Sequence, residues 1–331
     1  MYKVVLDVMG GDFAPSSTLE GAKEALKTFP ELYLYLVGKK SVLKSWENEE
    51  RVKVYYTEEV VEMDELPGEA LRKKKSASIF KGLELVKNGE AQAFVSAGNS
   101  GAIVAGSIFI LGRLKGVRRP AIATLLPTLK DHFVLIDAGA NVDCKPIDLF
   151  QFGIMGSIFF QIICKKNDPP KIGLLSIGEE IGKGNTLVKK AHELFLKSNL
   201  NYIGNIEGRE IYFGNADVVV CDGFIGNVCL KLSEGLAEAI IQMVKKEVKK
   251  SFISLLGIAL AEKALKNFKK KADWREYGGA PLLGVKGNVI IGHGRSDALA
   301  IKNAIKQAIN FIKTDLVEKL ASAIKESSKR V

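Results

Sequence analysis

A chain of 331 residues, 47% of them hydrophobic, is long enough for one large or two smaller domains with a sizeable core, and no stretch reaches the roughly 18 apolar residues of a membrane span. The net charge of +10 is lopsided: residues 243–271 hold nine lysines against two glutamates, a surplus of +7, without the interleaved aromatics of a single-strand-binding surface, so no nucleic-acid partner is expected. Four cysteines (Cys144, Cys164, Cys221, Cys229) without CxxC spacing and three widely separated histidines argue against a local metal site or a disulfide framework, which fits a reducing cytoplasm. Met1-Tyr2-Lys3 runs straight into strand residues, so no leader is expected.

In chain order, residues 3–8 read as a strand buried on both faces. Ser17-Thr18-Leu19-Glu20 has the capping-box pattern and opens a helix to about residue 28. Strands follow at 32–37 and 52–56, and Leu66-Pro67-Gly68 marks a break. The basic run Arg72-Lys73-Lys74-Lys75 precedes a helix over 77–87; it is a solvated helix entry or a contact for phosphate or an acidic partner. Next comes Ala93-Phe94-Val95-Ser96-Ala97-Gly98-Asn99-Ser100-Gly101, a buried strand running into glycines, an amide and hydroxyls at a helix start. Unpaired N–H groups and the positive helix end make such a turn an anion cradle, most simply for phosphate. The plainer alternative is a strand-to-helix turn with an Asn or Ser cap.

Arg118-Arg119-Pro120 introduces a strand over 121–126, and residues 132–137 form another close behind it, a pair that suits a hairpin and a mixed sheet. Residues 146–164 read as a long apolar helix with Pro near its start. A strand over 171–176 leads to Gly178-Glu179-Glu180-Ile181-Gly182-Lys183-Gly184-Asn185, which fails the Walker A test because three residues, not four, separate Gly178 from Gly182 and Gly184 stands where Ser or Thr belongs. Gly182-Lys183-Gly184 and Gly292-His293-Gly294 likewise lack the third glycine of the dinucleotide fingerprint. Strands at 202–207 and 216–221 precede a helix from about residue 226 to 250. Residues 251–261 are uncharged and mostly apolar between lysine-rich flanks. A second basic helical stretch ends near Asp273-Trp274, residues 278–281 return the chain to the body, and residues 289–291 are the last strand. A helix of alternating Ala/Ile and Lys starts at Ser296, and the tail to Val331 reads as a charged surface helix that frays at Ser327-Ser328.

Strands alternate with helices, so the expected fold is a doubly wound α/β body with a mixed, mostly parallel sheet, over residues 1–242 and 272–331. Residues 243–271 form a protruding basic helical hairpin. Its tip (Phe252, Leu255, Leu256, Ile258) is too short to span a membrane and too apolar for water, which suits an interfacial anchor with lysines at headgroup level, or a dimer contact. Several strands end in Gly/Asp/Asn/Ser clusters, including Asp7 with Gly10, Gly11 and Asp12, Asp137 to Asn141, and Asp222. In a parallel sheet these clusters would face one crevice.

Taken together, MGGDFAP at 9–15, VSAGNSGA at 95–102, DAGANVDCKP at 137–146, QFGIMGS at 151–157, IGEEIGKGN at 177–185, NIEGR at 205–209, DGFIGNVCLKLSEG at 222–235, YGGAPLLG at 277–284 and GHGRSDALAIKNAI at 292–305 resemble the bacterial acyl-acyl carrier protein:phosphate acyltransferases. The resemblance covers essentially the whole chain, in order; the central motif more usually carries Thr where Ser100 stands. It implies a fold similar to phosphotransacetylases and isocitrate-dehydrogenase-like enzymes. It also implies transfer of an acyl group from acyl carrier protein to inorganic phosphate, giving acyl phosphate for phosphatidic acid. No cofactor is implied. The family works as a homodimer on the inner face of the cytoplasmic membrane, alongside the glycerol-3-phosphate acyltransferase that consumes its product.

For that reaction, Ser96, Gly98, Asn99, Ser100, Gly101 and Asn141 are the candidate phosphate ligands. Lys183, Arg209 and Arg295 are charge partners or surface ion pairs, and Asn141, Asn185 and Asn227 are donors to a developing oxyanion. Asp7, Asp12, Asp137 and Asp222 orient loops, or one is a general base; Gly10 and Gly11 shape the turn around them. His293 is an acid or donor, whereas His132 and His192 read as surface or structural. Cys144 allows an acyl-cysteine route, but no adjacent His supports it and a small buried thiol is the better reading. An acidic carrier needs a basic surface, for which residues 72–75 and 243–271 are the candidates. The competing functions are a short-acyl phosphotransacetylase, a dehydrogenase of the same fold class, and a non-enzymatic basic membrane scaffold. The failed nucleotide fingerprints and the crowded polar strand ends weigh against the last two.

Overall fold

The computed structural model describes residues 1–266 and 273–327. Its strands are β1 (Tyr2–Asp7), β2 (Leu32–Gly38), β3 (Val52–Tyr56), β4 (Ala93–Ser96), β5 (Ala121–Pro127), β6 (His132–Ile136), β7 (Ile172–Ser176), β8 (Tyr202–Glu207), β9 (Val218–Val220), β10 (Ala280–Leu283) and β11 (Asn288–Ile291). They make one sheet in the order β3-β2-β1-β4-β11-β10-β5-β6-β9-β7-β8. Central strands such as Val4-Val5-Leu6 and Val218-Val219-Val220 are buried throughout, as strands covered on both faces must be.

The helices are α1 (Ser16–Thr28), α2 (Lys40–Leu43), α3 (Pro67–Lys73), α4 (Ser78–Lys87), α5 (Ser100–Gly106, continuing as a π-helix over Ser107–Leu111), α6 (Pro146–Cys164), α7 (Thr186–Leu196), α8 (Gly223–Val248), α9 (Phe252–Leu260), α10 (Ala298–Lys313) and α11 (Leu316–Ser327). By length and composition α6 is apolar enough to cross a membrane, which corrects the expectation that no stretch is; 67% of its most apolar window is buried inside the protein, so it serves as a core helix. The C-terminal helix α11 is no surface tail: Leu316, Leu320 and Ile324 are buried. The capping box at residues 17–20 does not form. The helix begins one residue earlier, and Thr18 turns inward to donate to Val8 O at 2.7 Å, tying α1 to the end of β1.

Three antiparallel pairings in a row, β11 with β10, β10 with β5 and β5 with β6, reverse the sheet at its middle. Strands β6, β9, β7 and β8 therefore run opposite to β1, β2, β3, β4 and β11. Strand β10, which joins the halves, was read from sequence only as a returning segment. It is four residues long and contains Pro281. The polar strand ends consequently fall into two groups and do not share one edge, which corrects the single-crevice expectation.

Of the segment expected to form a hairpin, α9 is helical and Ile253 and Leu260 are exposed, while Ile258 is half-buried. The side chains of Phe252, Leu255 and Leu256, and the lysines at 269–271, lie outside the described residues.

Candidate active site

The first group of strand ends gathers at β1, β4 and β11. Asp7 is fully buried and accepts from Ser96 Oγ at 2.7 Å and from Met9 N at 3.1 Å; Ser96 Oγ in turn accepts from Gly98 N at 3.0 Å. Burial pushes the Asp7 carboxyl above its ordinary range, against the hydrogen bonds that pull it down. A Cβ on Gly10 would lie 2.7 Å from Asp7 Oδ2 and 2.8 Å from Ser96 Oγ, so the glycine backbone closes the chamber from above. The Ser96 hydroxyl thus has its proton committed to Asp7 and closes the turn. Gly11, at φ +108°, brings the chain against Ala97 and Gly294, and Asp12 N donates to Gly294 O at 2.7 Å.

Asn99 is equally committed. Its Oδ1 caps α5 by accepting from Ala102 N at 3.0 Å, and its Nδ2 donates to the carbonyls of Glu62, Met63 and Glu65 at 3.1, 3.1 and 2.9 Å. A Cβ on Gly101 would meet Pro67 Cγ at 2.5 Å, so that glycine permits close packing with α3. What the turn still offers is backbone: the N–H groups of Asn99, Ser100 and Gly101 have no acceptor among the described residues, and Ser100 is exposed. Asn99→Ala should lose the cap, worth about 1 kcal/mol, and release three carbonyls. Hydrogen exchange over residues 57–66 should accelerate; unchanged protection there would show that other contacts hold the loop.

The second group lies at the ends of β6, β9 and β7. Asp137 is buried with φ +61° and accepts from Ala140 N (2.8 Å), Asn141 N (3.0 Å) and Asn141 Nδ2 (2.9 Å). Burial nevertheless pushes its carboxyl up to about 6. Asn141 spends its other amide proton on Pro120 O at 2.7 Å, so it has none left for an oxyanion or phosphate. Asp222 caps α8 through Ile225 N at 2.9 Å, and Asn185 caps α7 through Val188 N at 2.9 Å. The Asn185 amide group, the Asn227 side chain beside Gly139, and the exposed Lys183 ammonium have no hydrogen-bond or ion-pair partner among the described residues. Arg209 pairs with Glu207 at 2.8 Å with its side chain 76% exposed, a surface ion pair.

Helix α8 links the groups. Gly223 N donates to Asn141 O at 2.7 Å, while further along the helix Lys231 Nζ lies 3.1 Å from His293 Nε2. His293 Nδ1 accepts from Arg295 N at 3.1 Å, its ring packs on Trp274, and Glu234 approaches its Nε2 at 3.6 Å. Burial raises the Glu234 carboxyl, but hydrogen bonds from His293 and Lys231 outweigh it and leave the group below its ordinary range. His293 thus has both nitrogens occupied and fastens α8 to the first group. Arg295 reaches Glu238 at 3.8 Å on the same helix. His132 bridges Asp131 and Tyr277, and His192 bonds Tyr202, both structural as expected.

Sequence reading missed one residue here. Arg119 extends Nη1 to 3.4 Å from Asn141 Oδ1, and its Nε lies 3.8 Å from buried Asp148. Arg118 beside it bonds Asp148 Oδ1 at 2.9 Å. The pair Arg118-Arg119 had registered only as a strand entry; two adjacent arginines before a proline were the available signal. The cysteines sit where burial favours the neutral thiol over the thiolate. Burial pushes the thiols of Cys144 up to about 12 and Cys164 up to about 11, and raises Cys221 and Cys229 as well. No grouping of three or more His, Cys, Asp or Glu side chains suited to a metal occurs among the described residues.

This arrangement offers amide donors, cations and a helix linking two polar groups, which suits an anionic substrate and charge stabilisation. Residues 2–319 match the family model described as fatty acid synthesis protein. A phosphate acyltransferase of Thermodesulfovibrio yellowstonii is 48% identical over 335 residues, covering 100% of this chain and 96% of its own. Among solved structures, a phosphotransacetylase from Streptococcus pyogenes aligns at TM-score 0.58 and 17% identity over 98% of this chain and 94% of its own. A 4-hydroxythreonine-4-phosphate dehydrogenase from Klebsiella pneumoniae aligns at TM-score 0.51 and 13% identity, covering 93% and 98%. These two share the mixed α/β fold and show no more than that. The family match over residues 2–319 and the 48% identical relative together make this chain a member of the fatty acid synthesis protein family, an acyltransferase among relatives named phosphate acyltransferases.

Proposed function

We propose that the enzyme transfers a long-chain acyl group from acyl carrier protein to inorganic phosphate, releasing acyl phosphate for phosphatidic acid and phospholipid synthesis. The observation that carries the reading is a set of anion-binding groups with capacity to spare: the unpaired Asn99–Gly101 amides, the unpaired Lys183 ammonium, and the half-exposed Arg119, which is held only by long contacts to Asn141 and Asp148. A phosphate oxygen attacks the thioester carbonyl directly; the new C–O bond forms, the C–S bond breaks, and the carrier leaves as a thiolate that takes up a proton. No acyl-cysteine is needed, and phosphate dianion needs no strong base. The protein's contribution is to hold phosphate and stabilise the oxyanion. Incubation with long-chain acyl carrier protein, with and without phosphate, tests this through release of free thiol. Thiol should appear only with phosphate, together with acyl phosphate. Phosphate-independent release, or none, rejects the reading, and preference for short acyl-coenzyme A favours a phosphotransacetylase.

The same proposal covers assembly and place. Helix α8 exposes Ile225, Val228, Leu232, Leu236, Ile240 and Met243 at helical spacing, an apolar stripe suited to a second copy in a homodimer. Two hairpins packed together present two tips to the anionic inner face of the cell membrane, beside a glycerol-3-phosphate acyltransferase that takes the amphipathic product. Ile253→Glu with Leu260→Glu places charge on two exposed tip residues. Sedimentation with anionic vesicles should be lost while turnover of soluble acyl-carrier substrate persists; vesicle binding at the wild-type level would rule out the tip as anchor.

A further inference from the structure

The loop between the π-turn ending at Leu111 and β5 carries Arg113, Lys115, Arg118 and Arg119, and Lys286 on the β10–β11 turn stands beside it. All five are exposed, while Leu114 and Val117 between them are buried, so the loop turns its apolar residues in and its cations out. It is held rigidly. Leu114 N donates to Gly284 O and Lys286 N to Gly112 O, both at 2.9 Å. Buried Gln151 accepts from Arg118 N at 2.9 Å and donates to Gly116 O at 2.8 Å. The Arg113 guanidinium donates to Arg118 O. The carboxylate paired here is Asp148, fully buried and already bonded to Arg118. Arg113, Lys115 and Lys286 have no carboxylate within ion-pair distance among the described residues.

Of the two surfaces suggested by the sequence, the run at residues 72–75 lacks this property. Lys73 and Lys74 pair with Glu69 and Glu65, and Asn99 draws the segment holding Glu62 and Glu65 against α3. Across residues 57–76 six acidic side chains outnumber the four cations of the run, so an acidic partner would meet no net attraction there.

We propose that the Arg113–Arg118 loop with Lys286 is the docking surface for the acidic carrier protein that delivers the acyl thioester, an inference that rests on the acyl-transfer reading above. Charge complementarity favours that occupant. So does position: Arg119, next in the loop, reaches Asn141 in the second polar group, and Phe109, 74% exposed, adds an apolar contact on the helix leading in. A carrier seated on the loop presents its thioester beside Arg119 and the second polar group.

The triple variant Arg113→Glu, Lys115→Glu, Lys286→Glu tests the assignment with two donors, acyl carrier protein and acyl-coenzyme A. The expected result is a KM for acyl carrier protein raised about tenfold or more, with kcat, the KM for phosphate and turnover of acyl-coenzyme A little changed. Direct binding of acyl carrier protein, read by fluorescence anisotropy, should weaken in step. In the wild type that binding should fall steeply with salt, and in the variant only shallowly. An unchanged KM and affinity for the carrier overturns the proposal. So does equal loss with both donors, which would place the patch in the chemical site or the fold, and so does a changed oligomeric state or lost vesicle binding without a carrier effect. Wild-type enzyme that makes no acyl phosphate from either donor overturns the acyl-transfer reading itself, and is seen before any variant is assayed.

Discussion

Gly226→Ala is expected to destroy activity and cost about 3 kcal/mol of stability, at the upper end of overpacking effects. Gly226 is buried in the early part of α8, where the helix crosses the 137–141 turn. A Cβ there would fall far inside van der Waals contact with the Asp137 carbonyl oxygen and lie 2.9 Å from Cys221 Sγ. A carbonyl on a turn already held by the Asp137 carboxylate cannot step aside as a flexible side chain can. Gly223, three residues earlier, is also pressed against this turn, its Cβ position 2.6 Å from Asn141 N. The methyl group must therefore lift α8 away from the second polar group and strain its attachment to His293. Misplacement by about 1 Å at a reacting centre costs roughly 100-fold in rate. Thermal unfolding and phosphate-dependent thiol release measure both effects. Gly235→Ala on the same helix meets nothing within 4 Å and should be neutral or slightly stabilising. Wild-type melting and turnover in Gly226→Ala would mean that this crossing does not position the site.

The adjacent arginines should separate binding from stability. Arg119→Ala is expected to lower kcat/KM for phosphate by roughly 100-fold, as loss of one preorganised donor does, with the melting temperature nearly unchanged. Its guanidinium is half-exposed, and its two contacts, 3.4 Å to Asn141 and 3.8 Å to Asp148, are long. Arg118→Ala should do the reverse. It removes the 2.9 Å partner of a carboxylate that is fully buried and otherwise bonded to Lys145 N at 2.8 Å. Stripping one partner from a buried pair costs about 3–5 kcal/mol, an upper bound here because the Arg118 side chain is 45% exposed. Steady-state kinetics in phosphate and calorimetric melting of both variants decide it. Similar losses in both quantities for both arginines would dissolve the distinction.

Most strands and long helices were legible because periodicity and burial follow from local composition. Helix Pro146–Cys164 was bounded correctly by its proline and its apolar run, and the 121–136 hairpin by its short turn. Strand β10 was not, since four residues with a proline carry too little pattern to outweigh a turn. Among the site residues, the sequence located the polar turns but not their use. Asn99 looked like a phosphate ligand, yet the carbonyls that occupy its amide lie 34 to 37 positions earlier. The side-chain donors of Asn141 and Ser96 are spent in the same way, because a residue that can hold a ligand can equally cap a helix or close a turn.

The sequence by itself determined the family, the alternation of strands and helices, and where polar turns interrupt apolar runs, since each is a property of neighbours in the chain. Only the tertiary structure decided that the sheet reverses at its middle, that α8 joins two polar groups, and which amides and cations remain unspent. The physical reason is that a side chain's type states its hydrogen-bonding capacity, while its remaining capacity depends on partners that the fold brings from far along the chain.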